Sequence, residues 1–164
     1  KKFTVLKDDY DRPLYGLSWT LDGRYIICHN HTEIFKYDPR TRKLTEKINV
    51  QMISPPDFYL DENTRMLLTR DEKSIIFNAE MDEFRNDIHR NVSALYAYNF
   101  KNGQFRRLTR EGLHCMAPVI DQHNNIYFEG FTNMRDPVCI YRINLSDTTL
   151  VQVLNDALMP GITN

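Results

Sequence analysis

Cysteine is scarce in this chain of 164 residues: Cys28, Cys115 and Cys139 are odd in number and form no Cys-x-x-Cys pair. That number and spacing argue against a disulfide framework and a zinc site, so three reduced thiols packed as small hydrophobes are expected, with no assigned compartment, cytoplasmic or periplasmic. Long apolar runs are absent too. None approaches the roughly 20 residues needed to span a bilayer, and the start Lys1-Lys2-Phe3 has neither an initiator Met nor a signal-peptide core. Neither sign of charge dominates, with 21 basic against 22 acidic residues, net −1 and pI near 6.6, so a broad basic surface for nucleic acid is not expected. Catalytic signatures are missing as well: there is no phosphate-binding loop and no His-Glu-x-x-His. Gly16-Leu17-Ser18-Trp19-Thr20 lacks the second glycine of a nucleophile elbow and leads into a hairpin, so Ser18 is not read as a nucleophile.

What is present is a repeated hairpin pattern, and 41% hydrophobic residues with 12% aromatics suffice for a sizeable core. Its clearest copy is residues 95–109, where Asn102-Gly103 divides two alternating runs and suits a type I′ turn with positive φ at both central residues. Fainter copies precede and follow it. In the first unit, strands at 15–20, 25–28, 33–37 and 43–48 are separated by the Asp22-Gly23 turn, the loop 29–32 and a turn carrying Pro39. In the third, strands at 115–120, 125–132, 138–145 and 149–154 follow the same order. Four short antiparallel strands within roughly 40 residues have the period of a propeller blade.

The middle unit admits two registers. Pro55-Pro56 forces an extended loop, after which 58–60 reads as the first strand, 61–64 as its turn and 65–69 as the second strand, with 70–93 as an insertion before the 95–109 hairpin. The insertion reads as an extra hairpin arm or as a strand plus one or two helical turns, since Met81, Phe84 and Ile88 fall near helical spacing. The rival register starts the first hairpin at Leu67 and turns at Asp71-Glu72. Similar distances from each fourth strand to the next Asp turn, at Asp22, Asp61 and Asp121, favour the former.

The expected fold class is therefore all-β: antiparallel four-stranded blades of a β-propeller, about three and a half of them, in one partial domain over 1–164. Its units are about 10–48, 49–111 and 112–156, with the insertion at 70–93. Residues 2–7 line up with 104–109, and 157–164 reads as a further first strand, so the chain is expected to start and end in mid-repeat. Either it belongs to a longer propeller, or two copies associate through open blade edges. Trp19, Tyr37, Tyr98 and Tyr141 read as core aromatics.

Residues 19–27, Trp-Thr-Leu-Asp-Gly-Arg-Tyr-Ile-Ile, together with 95–109, resemble the TolB-type β-propeller repeat. In its typical form Ser-Pro-Asp-Gly-Lys leads to an aliphatic strand, and an Ile-Tyr strand ends in Asp before Leu-Thr. The likeness departs where Ser-Pro is replaced by Thr20-Leu21, Tyr59-Leu60 and Val119-Ile120. It implies a propeller fold and little about activity.

Loops alternate between the two faces of an up-and-down blade, so inter-unit connections share a rim with the loops joining second and third strands. That rim collects Tyr10, Arg12, His29, His31, Arg85, His89, Arg90, His114 and Arg135. Loops on a rigid scaffold commonly carry recognition, and the expected function is a non-catalytic module binding a protein or peptide, without a cofactor. Two alternatives come from resemblance. One is a propeller gating a serine peptidase of the prolyl oligopeptidase or dipeptidyl peptidase type. The other is a carbohydrate lyase whose metal would be held by His29, His31, His89 and His114; imidazole suits such ions, but His-x-His on a loop has no fixed partner spacing, so no metal is assigned. Asp82, Glu83 and Asp87 lack the EF-hand pattern and read as a solvated face.

Overall fold

The computed structural model describes residues 6–56, 58–85 and 88–154, with side chains for all of these but 83–85 and 88–90. These residues form three antiparallel sheets and one 3-10 turn, Val50–Met52. The first sheet is the meander β1 (Tyr15–Trp19), β2 (Ile26–His29), β3 (Glu33–Asp38), β4 (Lys43–Asn49). The third is β10 (His114–Ile120), β11 (Asn125–Phe131), β12 (Cys139–Asn144), β13 (Leu150–Leu154). The middle sheet has five strands: β5 (Phe58–Tyr59), β6 (Met66–Leu68), β7 (Ser74–Arg85), β8 (Ile88–Asn99) and β9 (Phe105–Arg107). The expected half-unit at 157–164 and most of 2–7 lie outside the described residues.

In the middle sheet the structure takes the register that turns at Asp71-Glu72. β6 pairs with the first part of β7 (Met66↔Phe77, Leu68↔Ile75), and β7 pairs with β8 from Ser74↔Asn99 to Arg85↔Ile88. The run Ile75-Ile76-Phe77 is fully buried and needs neighbours on both sides, which only a central strand supplies. Residues 70–93 accordingly hold a turn, β7 and the start of β8, and the outer part of this hairpin carries β5 on its edge (Phe58↔Met81). Met81, at the supposed helical spacing, is in extended strand.

The turns repeat as conformations more faithfully than as residues. At the first turn of each sheet, Thr20 N–H donates to Tyr25 C=O, Thr69 N–H to Ser74 C=O and Asp121 N–H to Asn125 C=O, all at 2.9–3.0 Å. The left-handed residue is Gly23 (φ 66°), Glu72 (φ 53°) or Asn124 (φ 60°). Between third and fourth strands, Asp38, Asn99 and Asn144 each accept on Oδ1 the amide two residues on, at 2.8–2.9 Å. Their left-handed residues are Arg42 (φ 59°), Gly103 (φ 69°) and Thr148 (φ 55°). Asn102 does not take positive φ, so this connection is not the type I′ turn expected from Asn-Gly. It is a longer loop closed by Gly103 N–H donating to Asn99 C=O at 2.9 Å.

Alternation along the middle hairpin builds two cores. Ile75, Phe77, Ala79, Ala94 and Tyr96 pack with Ile27 and Ile34 of the first sheet. Ile76, Leu95 and Ala97 project to the opposite face and pack with Ile126, Phe128, Tyr141 and Ile143 of the third. Phe58, Tyr96 and Phe105 form an aromatic cluster with centroids 4.8–5.4 Å apart. Cys28, Cys115 and Cys139 are buried and free, and burial pushes the thiols of Cys28 and Cys115 up to about 12. Tyr37 and Tyr141 are core residues, but Trp19 is 56% exposed because it ends the innermost strand of its sheet.

Adjacent sheets are also stitched turn to turn. Leu21 N–H donates to Glu72 Oε1 at 2.5 Å, and Arg70 N–H to Asn124 Oδ1 at 2.8 Å. In both cases the acceptor is the left-handed residue of the following sheet's first turn.

Candidate functional site

The meanders place first and third turns on one face. Loops between second and third strands share the other face with the connections between sheets. On this second face a cavity of about 920 Å³ opens among the three sheets, with walls from Gly16, residues 61–65, Asn78, Glu80, Asn91, Ser93, His114, Met116, Ala117, Glu129, Phe131 and Met134.

Bulges in the innermost strands shape it. β1 shifts register between Tyr15 and Ser18, β10 between Met116 and Val119, and the left-handed residues within them are Gly16 (φ 65°) and Ala117 (φ 47°). The connection below is fixed by Asp61, whose Oδ1 accepts from Asn63 N–H at 3.0 Å and from the Thr64 hydroxyl at 3.1 Å. Ser93 Oγ donates to Cys115 C=O at 3.0 Å and joins the second and third sheets. Tyr59 donates its hydroxyl to Glu80 Oε2 at 2.6 Å and accepts from Asn91 Nδ2. The bond to Glu80, helped by burial, raises the Tyr59 phenol above its ordinary value.

The residues singled out from sequence divide into four groups. His114 lines the cavity, half-buried and stacked on Phe131 with ring centroids 4.8 Å apart. Arg135 is exposed on the loop 132–138 beside Met134. His29 and His31 sit with Tyr15 behind the Gly16 wall. His29 is fully buried, its Nδ1 accepts from His31 N–H at 3.2 Å, and its Nε2 is sealed near Gly16 and the Thr64 carbonyl. With Nδ1 an acceptor, the neutral ring carries its proton on Nε2. Burial pushes this imidazole down to about 4; neighbouring His31 adds to that, while the Thr64 carbonyl and Asp61 oppose it. His31 is exposed, with Nδ1 3.0 Å from Leu60 C=O.

Arg12 and Tyr10 lie apart from the cavity. Arg12 Nε donates to Asp8 Oδ2 at 2.6 Å, and the guanidinium stands 3.8 Å from Glu33 and 5.3 Å from the Tyr10 ring centroid. Burial raises the Asp8 carboxyl, but donors from Asn30, Arg12 and Tyr10 outweigh it and hold the group at about 2. Tyr10 borders a separate hollow of about 110 Å³ with Lys47 and Glu33. The backbones of Arg85, His89 and Arg90 lie in the outer part of the β7–β8 hairpin, and their side chains lie outside the described residues. Among the described residues no three His, Cys, Asp or Glu groups converge on a point where an ion could be held.

Sequence reading passed over Asn78, Glu80, Asn91 and Glu129. They occupy strand positions, where a polar residue by itself marks no site; for Glu80 and Asn91 the cross-strand polar pairs Glu80↔Ser93 and Asp82↔Asn91 would have been the signal, and Asn78 and Glu129 have none.

No protein-family model matches the sequence, and no curated protein matches it. Solved structures do. TolB from Acinetobacter baumannii is similar at 18% identity with a TM-score of 0.60, over 86% of this chain and 32% of that one. Dipeptidyl peptidase 4 from Porphyromonas gingivalis is similar at 8% identity and TM-score 0.58, over 88% and 26%. The tricorn protease is similar at 14% identity and TM-score 0.57, over 88% and 16%. The chain thus spans about a third of the TolB structure and less of the two peptidases. Its three antiparallel sheets are blades of a β-propeller, the fold it shares with TolB and with the propeller domains of these peptidases.

Proposed function

We propose that this domain is a recognition module, not itself catalytic, that holds a protein or peptide partner on the face carrying the loops between second and third strands. The observation that supports it is the 920 Å³ cavity, to which all three sheets contribute and where polar side chains stand beside a stacked His114–Phe131 platform. Rigid strands set the walls and connections form the lip, an arrangement suited to binding without rearrangement. Peptides selected from a random display library against the 164-residue chain should bind with affinity that falls at least tenfold in Phe131→Asp, with the β-sheet circular dichroism unchanged. A library yielding no binders, or binders indifferent to substitutions at Phe131 and Met134, would overturn the reading.

A second reading rests on the fold shared with two peptidases: the propeller serves a serine peptidase whose hydrolase part lies elsewhere in a longer chain. The full-length gene then encodes Gly-x-Ser-x-Gly at a strand-to-helix turn, and a gene without it removes this reading.

A further inference from the structure

Building on the recognition reading, we infer that the cavity takes a cationic side chain, lysine or arginine, from the bound peptide, with Glu129 as its counter-ion. Among the described residues the walls carry Asp61, Glu62, Glu80 and Glu129 against the guanidinium of Arg65, a net charge of −3 before histidine is counted. Two of these acids are engaged within the protein, Asp61 by its own turn and Glu80 by the Tyr59 hydroxyl. The carboxylates of Glu62 and Glu129 have no hydrogen-bond or ion-pair partner among the described residues. Glu62 is exposed at the lip, whereas Glu129 is half-buried on β11, directly opposite Met116 in the ladder and two residues from Phe131. A carboxylate beside apolar side chains on one strand face matches a long aliphatic stem ending in a cation: the methylenes would cover Met116 and Phe131 while the head reaches the oxygens.

The acids do not stand alone. Asn78 is 6% exposed and forms part of the same wall; its Oδ1 accepts the Arg65 amide at 2.9 Å, while its Nδ2 meets no acceptor among the described residues and keeps contact with solvent through the cavity. A donor that faces solvent on a cavity wall can exchange its water for an acceptor on the bound partner. A peptide carbonyl supplies one. Donor and carboxylate together therefore fit a peptide that offers a backbone oxygen and, one side chain away, a positive head. A bare metal ion fits neither, since no three ligating groups converge among the described residues.

The test uses the 164-residue chain and five-residue peptides, acetylated and amidated to remove terminal charge, of the form Ala-Ala-Xaa-Ala-Ala with Xaa arginine, lysine, glutamine or glutamate. Calorimetry should show arginine and lysine peptides binding at least tenfold more tightly than the glutamine peptide, with glutamate weakest. Glu129→Gln should abolish that preference at unchanged thermal stability, and Glu62→Gln should reduce it less. Raising ionic strength from about 50 to about 300 mM should weaken the cationic peptides selectively. Equal affinity for all four peptides would overturn the charge inference while leaving the recognition reading intact; failure of every peptide, including the library-selected ones, would remove both. Cadaverine binding as tightly as the lysine peptide would overturn the role given to the backbone and Asn78.

Discussion

Replacing Gly16 by alanine tests the packing behind the cavity, because Gly23 provides a control with the same backbone conformation. Their φ angles are 65° and 66°. A left-handed alanine costs about 1 kcal/mol relative to glycine wherever it stands. At Gly23 an added methyl meets nothing within 4 Å, so Gly23→Ala should lose about that much and no more. At Gly16 the same methyl would stand 2.7 Å from the Thr64 carbonyl oxygen and 2.8 Å from His29 Cδ2. Neither neighbour can yield easily: Thr64 is held by the Asp61 turn, and the fully buried His29 ring is held by the His31 amide. Overpacking of this kind costs roughly 1–3 kcal/mol, which brings Gly16→Ala to about 2–4 kcal/mol. Urea unfolding of both variants, compared at equal m-values, reads the difference directly. Agreement of the two within about 0.5 kcal/mol would refute the close approach of β1 to the connection 61–65.

Three further outcomes are expected. His29 is held near 4 when folded and returns to an ordinary 6.5 when unfolded, so the unfolded chain binds the extra proton between these values. Stability is therefore fully present above pH 6.5 and falls by roughly 3 kcal/mol towards pH 4; pH-dependent unfolding of His29→Gln should lack this slope. Thr148 is β-branched at φ 55°, so Thr148→Gly should stabilise by about 1 kcal/mol in thermal unfolding, and a loss of stability would contradict the turn geometry. Glu72→Met removes the acceptor of Leu21 N–H and should destabilise by about 1 kcal/mol in urea, while Glu72→Gln restores most of it.

Much of the fold is legible because the turns carry it. Asp38, Asn99 and Asn144 announce the third turns through their side-chain oxygens, and the first and third sheets follow from alternation between such turns. The middle sheet is misread where equal spacing is assumed, since its extra residues fall in the connection 50–65 and in the extended hairpin. The better signal is chemical: Thr69 and Asp71 repeat the hydroxyl-to-carboxylate bond of Thr20 and Asp22, at 2.8 and 2.7 Å. Left-handed positions are hidden because glycine occupies only one in each set, arginine, threonine, glutamate or asparagine the others. Alternating loops bring His114 and Arg135 to the face that holds the cavity, but Tyr10 and Arg12 lie beyond it and His29 lies under its wall. Glu129 and Asn78 are invisible in sequence because polarity at a strand position is the ordinary condition of a solvated side.

The middle hairpin divides its side chains between two cores, Ile75 and Phe77 on one side and Ile76 on the other. A one-residue slip of β7 against its neighbours would exchange these sets and spoil both interfaces together. Its register is thus checked twice, by partners that belong to different sheets. Neither outer sheet can be repacked in isolation either: enlarging a residue at Ile34 pushes on the same strands that Phe128 supports from behind. The two outer blades therefore read one another's fit through a shared wall, and compensating changes are expected to arise in pairs across it.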